Sequence, residues 1–106
     1  MLKKIELYKE NGFSDKGPQN YLAHESPYLK VINFNLKAGQ KLPVHSHDME
    51  GQLTITVFEG SGRFLDKDES ALPATVGDVL ISDISEPYGI QAETDMRVVV
   101  TIAPPI

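Results

Sequence analysis

Apolar and polar positions alternate with a period of two in several short stretches of this chain, and nowhere hold a period near 3.6 for long. In "QLTITVF" (residues 52–58), Leu53, Ile55 and Val57 fall on one side and Thr54 and Thr56 on the other, which predicts a half-buried strand. "YLKVINFNL" (residues 28–36) is rich in strand formers and sets Ile32, Phe34 and Leu36 on one face. "VGDVLIS" (residues 76–82) and "MRVVVTIA" (residues 96–103) predict two more short apolar strands, with "ETD" (residues 93–95) as the turn before the last. "EGSGRFLD" predicts a tight turn into a returning strand. Glycines and prolines punctuate the chain from Gly12 to Pro105, leaving intervals suited to strands and too short for ordinary helices. "KIELYKE" comes nearest to a helical pattern and is too brief to specify one. Many short strands at regular spacing predict an all-β sandwich or barrel. Residues 1–27 are the least committed: an edge strand, a dimer arm and a mobile lead-in are all compatible with them.

Composition narrows the class. A chain of 106 residues has room for one domain, and an apolar content of 41% is enough for a single core. Fifteen acidic against ten basic residues give a net charge of -5, with no basic run longer than Lys3-Lys4. That balance offers no footprint for nucleic acid or an anionic membrane. The absence of cysteine removes disulfides and thiolate metal sites, and fits a reducing cytoplasm. Glu6, Lys9 and Glu10 break any apolar run at the N-terminus, so no signal peptide is expected. No segment approaches the roughly 18 apolar residues that span a bilayer. A cytoplasmic protein is the expectation.

Candidate chemistry gathers in "PVHSHDMEGQLTITVFEGSG", where His45 and His47 stand two apart. In a strand, such side chains share a face, roughly 6 to 7 Å apart along it. Two imidazoles aimed at one space are half of a site for Zn, Fe, Ni, Cu or Mn; a solvated turn carrying two incidental histidines is the plainer alternative. Pro43 confines the segment to a sheet edge or a strand start.

The surrounding residues resemble the cupin superfamily, whose members are small jelly-roll β-barrels. Gly39, "QKLPV", His45, His47, Gln52 and Gly60 follow its first motif, with seven residues instead of six between Gln52 and Gly60. "GDVLISDISEPYGI" resembles the second, with Gly77, Asp78, Pro87 and Gly89 in the usual places. The two motifs and their strands span about residues 28–102. The resemblance implies an all-β jelly-roll barrel and a divalent metal held by His45, His47 and Gln52. It puts Tyr88 where the family usually has a fourth, histidine, ligand. Dimers formed by pairing edge strands are also common in the family, which with an edge needing cover makes a homodimer the expectation.

Several points stay open at this stage. A strand running regularly back from Gly60 turns Leu53 inward, whereas a bulge near Gly51 turns Gln52 inward. Tyr88 fits a catalytic acid, base or orienting hydroxyl, a phenolate ligand, or an aromatic filling the place of histidine. An uncharged set of His45, His47 and Gln52 makes a soft metal site. Asp48 and Glu50 fit a connecting turn better than a ligand role, and His24 lies outside both motifs. Asp78 and Asp83 fit turns. Three function classes follow: a metal-dependent isomerase, lyase or oxygenase on a small molecule, a non-catalytic module that binds a small ligand or metal, and a cupin whose decayed site leaves a structural or dimerisation role.

Overall fold

In the computed structural model, which describes residues 1–68 and 70–106, nine strands form two antiparallel sheets. The strands are β1 (Gln19–Glu25), β2 (Lys30–Leu36), β3 (Lys41–His45), β4 (Gln52–Glu59), β5 (Ser61–Leu65), β6 (Ala71–Thr75), β7 (Val79–Asp83), β8 (Tyr88–Ala92) and β9 (Met96–Ala103). One sheet has the order β1-β2-β9-β4-β7 and the other β3-β8-β5-β6. This is the all-β jelly-roll arrangement that the sequence predicts. The chain's one helical element is a single turn, α1 (Leu7–Glu10), among the described residues.

β4 and β9 run side by side in the middle of the larger sheet and supply the core by alternation. Leu53, Ile55 and Val57 from β4 and Met96, Val98, Val100 and Ile102 from β9 are all buried. Leu36, Ile84 and Ile90 close the same core. Both strands are predicted by the sequence, and in β4 it is the Leu53, Ile55 and Val57 face that turns inward.

Two expectations change. The strand after Gly60 does not return along β4: β5 joins the other sheet and pairs with β6 and β8. Gly60 is therefore a corner between sheets, at φ +78°, where an added Cβ would collide with the backbone carbonyl of Asp95. The strand predicted over 76–82 begins only at Val79. Asp78 holds a turn ahead of it, its carboxylate accepting from the Thr75 N–H at 2.9 Å.

The extra residue before Gly60 also finds its place. β4 pairs with β9 in unbroken register from Gln52 to Val57, and the irregularity falls between Val57 and Glu59. The bulge thus lies at Phe58, at the far end of β4 from Gly51.

The N-terminal segment packs on the outside of the larger sheet through a buried polar chain. The Asn11 amide donates to Asn33 (2.8 Å), Asn33 to Asn35 (3.0 Å) and to the Val98 carbonyl (2.9 Å), and Asn35 to the Gly12 carbonyl (2.9 Å). Arg97 lies beside it, its guanidinium 4.1 Å from the Tyr8 ring and donating to the Asn11 carbonyl at 3.1 Å. Its Nε has no hydrogen-bond partner among the described residues, and the Glu59 carboxylate at 3.8 Å offsets the charge only at a distance. β1 then covers the flank of β2 as an edge strand.

Candidate functional site

Between the sheets lies a cavity of about 230 Å³. Ile32 and Phe34 of β2, Ile55 of β4 and Val98, Val100 and Ile102 of β9 form one wall. Leu42 and His45 of β3 and Tyr88, Gly89 and Ile90 of β8 form the facing one, and His47, Lys30 and Ile106 complete the lining. The walls are aliphatic because each strand sends alternate residues inward.

Both predicted histidines reach this cavity, and both are exposed. They do so differently from a pair on one strand: β3 ends at His45, and His47 lies in the loop beyond, its N–H donating to the Ile84 carbonyl at 3.2 Å. The two rings stand edge to face with centroids 5.6 Å apart. β3 is a sheet edge, as Pro43 requires, and its register slips between Leu42 and His45. That slip brings His45 opposite Tyr88 on β8, with ring centroids 4.7 Å apart. Gly89 permits the approach: a Cβ there would lie 2.7 Å from the Leu42 carbonyl oxygen.

Local bonding fixes the chemistry of two of these rings. His45 Nδ1 is 2.8 Å from the Pro43 carbonyl, which can only accept, so Nδ1 carries the proton. In the neutral ring, Nε2 is then left with its lone pair, ready to accept a proton or a hydrogen bond. Tyr88 is 8% exposed, and burial pushes its phenol above the usual value by disfavouring the phenolate. Tyr88 therefore presents a neutral hydroxyl, on a ring tilted at 48° against the His45 imidazole.

Gln52 takes no part in this cluster. In β4 the inward residues are Leu53, Ile55 and Val57, and Gln52 is exposed on the opposite face. There its amide donates to Asp83 across the β4–β7 pair, at 3.2 Å. With the bulge at Phe58, nothing near Gly51 reverses that parity. Asp48 and Glu50 are exposed and do not line the cavity. His24 accepts a 3.4 Å contact from the Lys3 ammonium and lies with the N-terminal segment.

The metal that the motif implies finds few donors at this polar rim. Metal sites of the catalytic type take about three protein ligands, and the cavity offers two imidazoles and a neutral phenol. Among the described residues, no group of three or more His, Cys, Asp or Glu side chains could hold an ion. The donors in the cavity fall short of such a shell.

Lys30 and Ile106 also line the cavity and belong to neither motif. Lys30 shares the parity of Ile32, Phe34 and Leu36, so extending that face back by two residues finds it. Ile106 had no such signal, because it follows the last strand.

Comparison with known proteins then places the chain. It matches no protein-family model and no curated protein. A solved structure from Desulfovibrio desulfuricans, an RmlC-like cupin, superposes with a TM-score of 0.96 at 47% identity, over 100% of both chains. This chain is an RmlC-like cupin. A double-stranded β-helix protein from Klebsiella pneumoniae superposes on the cupin with a TM-score of 0.89 at 20% identity, covering 98% of this chain and 91% of that one. An ectoine synthase from P. lautus does so with a TM-score of 0.77 at 18% identity, over 100% and 80%. Those two likenesses are of fold. No helix of the cupin's described residues is long and apolar enough to cross a membrane.

Proposed function

We propose that this cupin takes a small, mostly apolar molecule into the cavity between its sheets and engages that molecule's polar group with His45, His47 and Tyr88. The observation that carries the proposal is the junction of aliphatic walls with three converging polar rings, the usual composition of a small-molecule site. The His45 imidazole as acceptor and the Tyr88 hydroxyl as donor form an acid–base pair, which suits an isomerase- or lyase-type proton transfer on the bound molecule. The ectoine synthase among the structural neighbours is, by its name, an enzyme on the same fold.

A second reading keeps a divalent metal on His45 and His47. The Pro43 carbonyl favours it, since a backbone acceptor on Nδ1 is how ligating histidines are commonly oriented. Such a metal would draw its remaining donors from solvent or from the bound molecule.

Titration with 2-phenylethanol, a ring with one hydroxyl, separates these outcomes when followed by methyl NMR. Saturable shifts are expected at Ile32, Ile55, Val98 and Val100. Affinity in His45→Ala/His47→Ala should fall about tenfold, the equivalent of one lost hydrogen bond. Shifts that never saturate, or that scatter over the surface, would sink the cavity reading. Metal analysis of untagged protein decides the second reading: stoichiometric metal that the double variant loses supports it, and metal unchanged by the double variant rejects it.

A further inference from the structure

Residues 104–106 follow β9 and turn back over the cavity. The ladder of β9 runs out at Ile102, paired with Lys30 of β2, and at Ala103, paired with Gln52 of β4. This end of the sheet lies beside the loop of His47. The Ile84 carbonyl accepts from the His47 N–H, and the Ile84 N–H donates to the Gly51 carbonyl. Gly51 in turn touches the exit of β9. A Cβ added there would lie 2.6 Å from Pro104 Cδ and 2.7 Å from the Ala103 carbonyl oxygen.

Past that seat the chain cannot continue as a strand. Pro104 and Pro105 have no N–H to donate, and their rings fix φ. The far end of this stiff segment is held by two contacts. Ile106 packs its partly buried side chain against the core and lines the cavity. Its main-chain oxygen accepts a hydrogen bond from the Lys30 ammonium at 2.9 Å.

The Lys30 ammonium has a second neighbour, which makes that hold reversible. Glu25 pairs with Lys30 across β1 and β2, its carboxylate 3.9 Å from the ammonium. If Ile106 leaves, the charge keeps a carboxylate beside it and gains water, so release strands no buried cation. One charge-assisted hydrogen bond and one partly buried side chain oppose the freedom that a released residue regains. These are small, opposed contributions, and segments held in this way open locally without the fold unfolding.

We propose that residues 104–106 form a strap, latched by Lys30, that closes over one side of the cavity mouth and swings away to admit and release what the cavity binds. What passes it follows from the reading of the cavity as a small-molecule site. The latch holds the closed strap whether the cavity is full or empty. Its loss therefore speeds entry and exit together and leaves the affinity nearly unchanged.

The strap itself is tested without a ligand, by relaxation of methyl NMR signals with the neutral nitroxide TEMPOL. In Lys30→Met, which keeps the aliphatic stem and the Ile106 side chain, the Ile106 and Ile102 methyls should relax at least about twofold faster than in the wild-type protein. Val57, buried in β4 outside the cavity lining, should not change. Unchanged relaxation at Ile106 overturns the latch, and an equal rise at Val57 reduces the effect to general loosening and overturns it too. Exchange kinetics of 2-phenylethanol test the gate. Association and dissociation should both quicken at least about fivefold in Lys30→Met and in Ile106→Gly, with affinity in Lys30→Met within about threefold of wild type. Unchanged association rates in both variants overturn the gate, as does a weaker affinity in Lys30→Met that comes from dissociation alone. If 2-phenylethanol saturates the cavity methyls in none of these proteins, the small-molecule reading and the gate fall together, and the nitroxide result alone decides the strap.

Discussion

Tyr88 concentrates most of the chemistry of the rim in one side chain. Its hydroxyl stays neutral because burial disfavours the phenolate, so its folded-state pKa lies above the unfolded reference near 10. The stabilising contribution is therefore complete below that reference value and is lost as pH rises through the folded value. Urea unfolding between pH 8 and 11 should show the wild-type midpoint falling more steeply at the alkaline end than that of Tyr88→Phe, which has no proton to lose. Parallel curves would remove burial as the cause. At this scale the sequence marks His45, His47 and Tyr88 through "HSH" and "PYG", and all three line the cavity. It was silent on Gln52 against Leu53, because one bulge decides the parity of a whole strand and no local residue announces where that bulge falls. Lys30 was hidden for a simpler reason. A lysine at the head of a strand reads as solvated surface until the opposite sheet is in place above it.

At the scale of elements, the strands that the pattern revealed are those with one wet face. β4 and the inward face of β2 alternate in the sequence, and the long apolar β9 stands out by composition. β8 does not alternate, since Tyr88, Gly89, Ile90 and Ala92 are all buried, and a strand covered on both sides loses its period-two signal. β6 was hidden by Pro73, which an edge strand tolerates. The switch of sheets at Gly60 was equally illegible, because "EGSG" serves a hairpin and a corner alike. That corner is sensitive. Alanine at position 60 must adopt a left-handed conformation and push the Asp95 carbonyl aside, so Gly60→Ala should cost at least about 2 kcal/mol by chemical denaturation. A loss well under that value would mean the corner relaxes with little strain.

Over the whole molecule, a polar chain ties the N-terminal segment to the sheet behind the cavity. Asn33 is fully buried and joins Asn11, Asn35 and the Val98 carbonyl. Asn33→Ala strands part of that network and should cost about 1 to 3 kcal/mol, the range for a buried polar group left unpaired. Hydrogen exchange should quicken across residues 7–13 more than in β4. Uniform quickening would show that the network serves general stability instead of docking the segment. Asn33 and Ile32 are neighbours facing opposite ways, so the same strand secures the segment outside and shapes the cavity inside.

The position of Tyr88 has one more outcome. Its ring borders the cavity on one side and, on the other, a second hollow of about 360 Å³ between Phe64, Leu72, Ile81 and Pro87. One aromatic side chain thus borders both hollows. Tyr88→Ala should enlarge the cavity toward the second hollow, and a longer apolar ligand that binds the variant more tightly than the wild-type protein would show it.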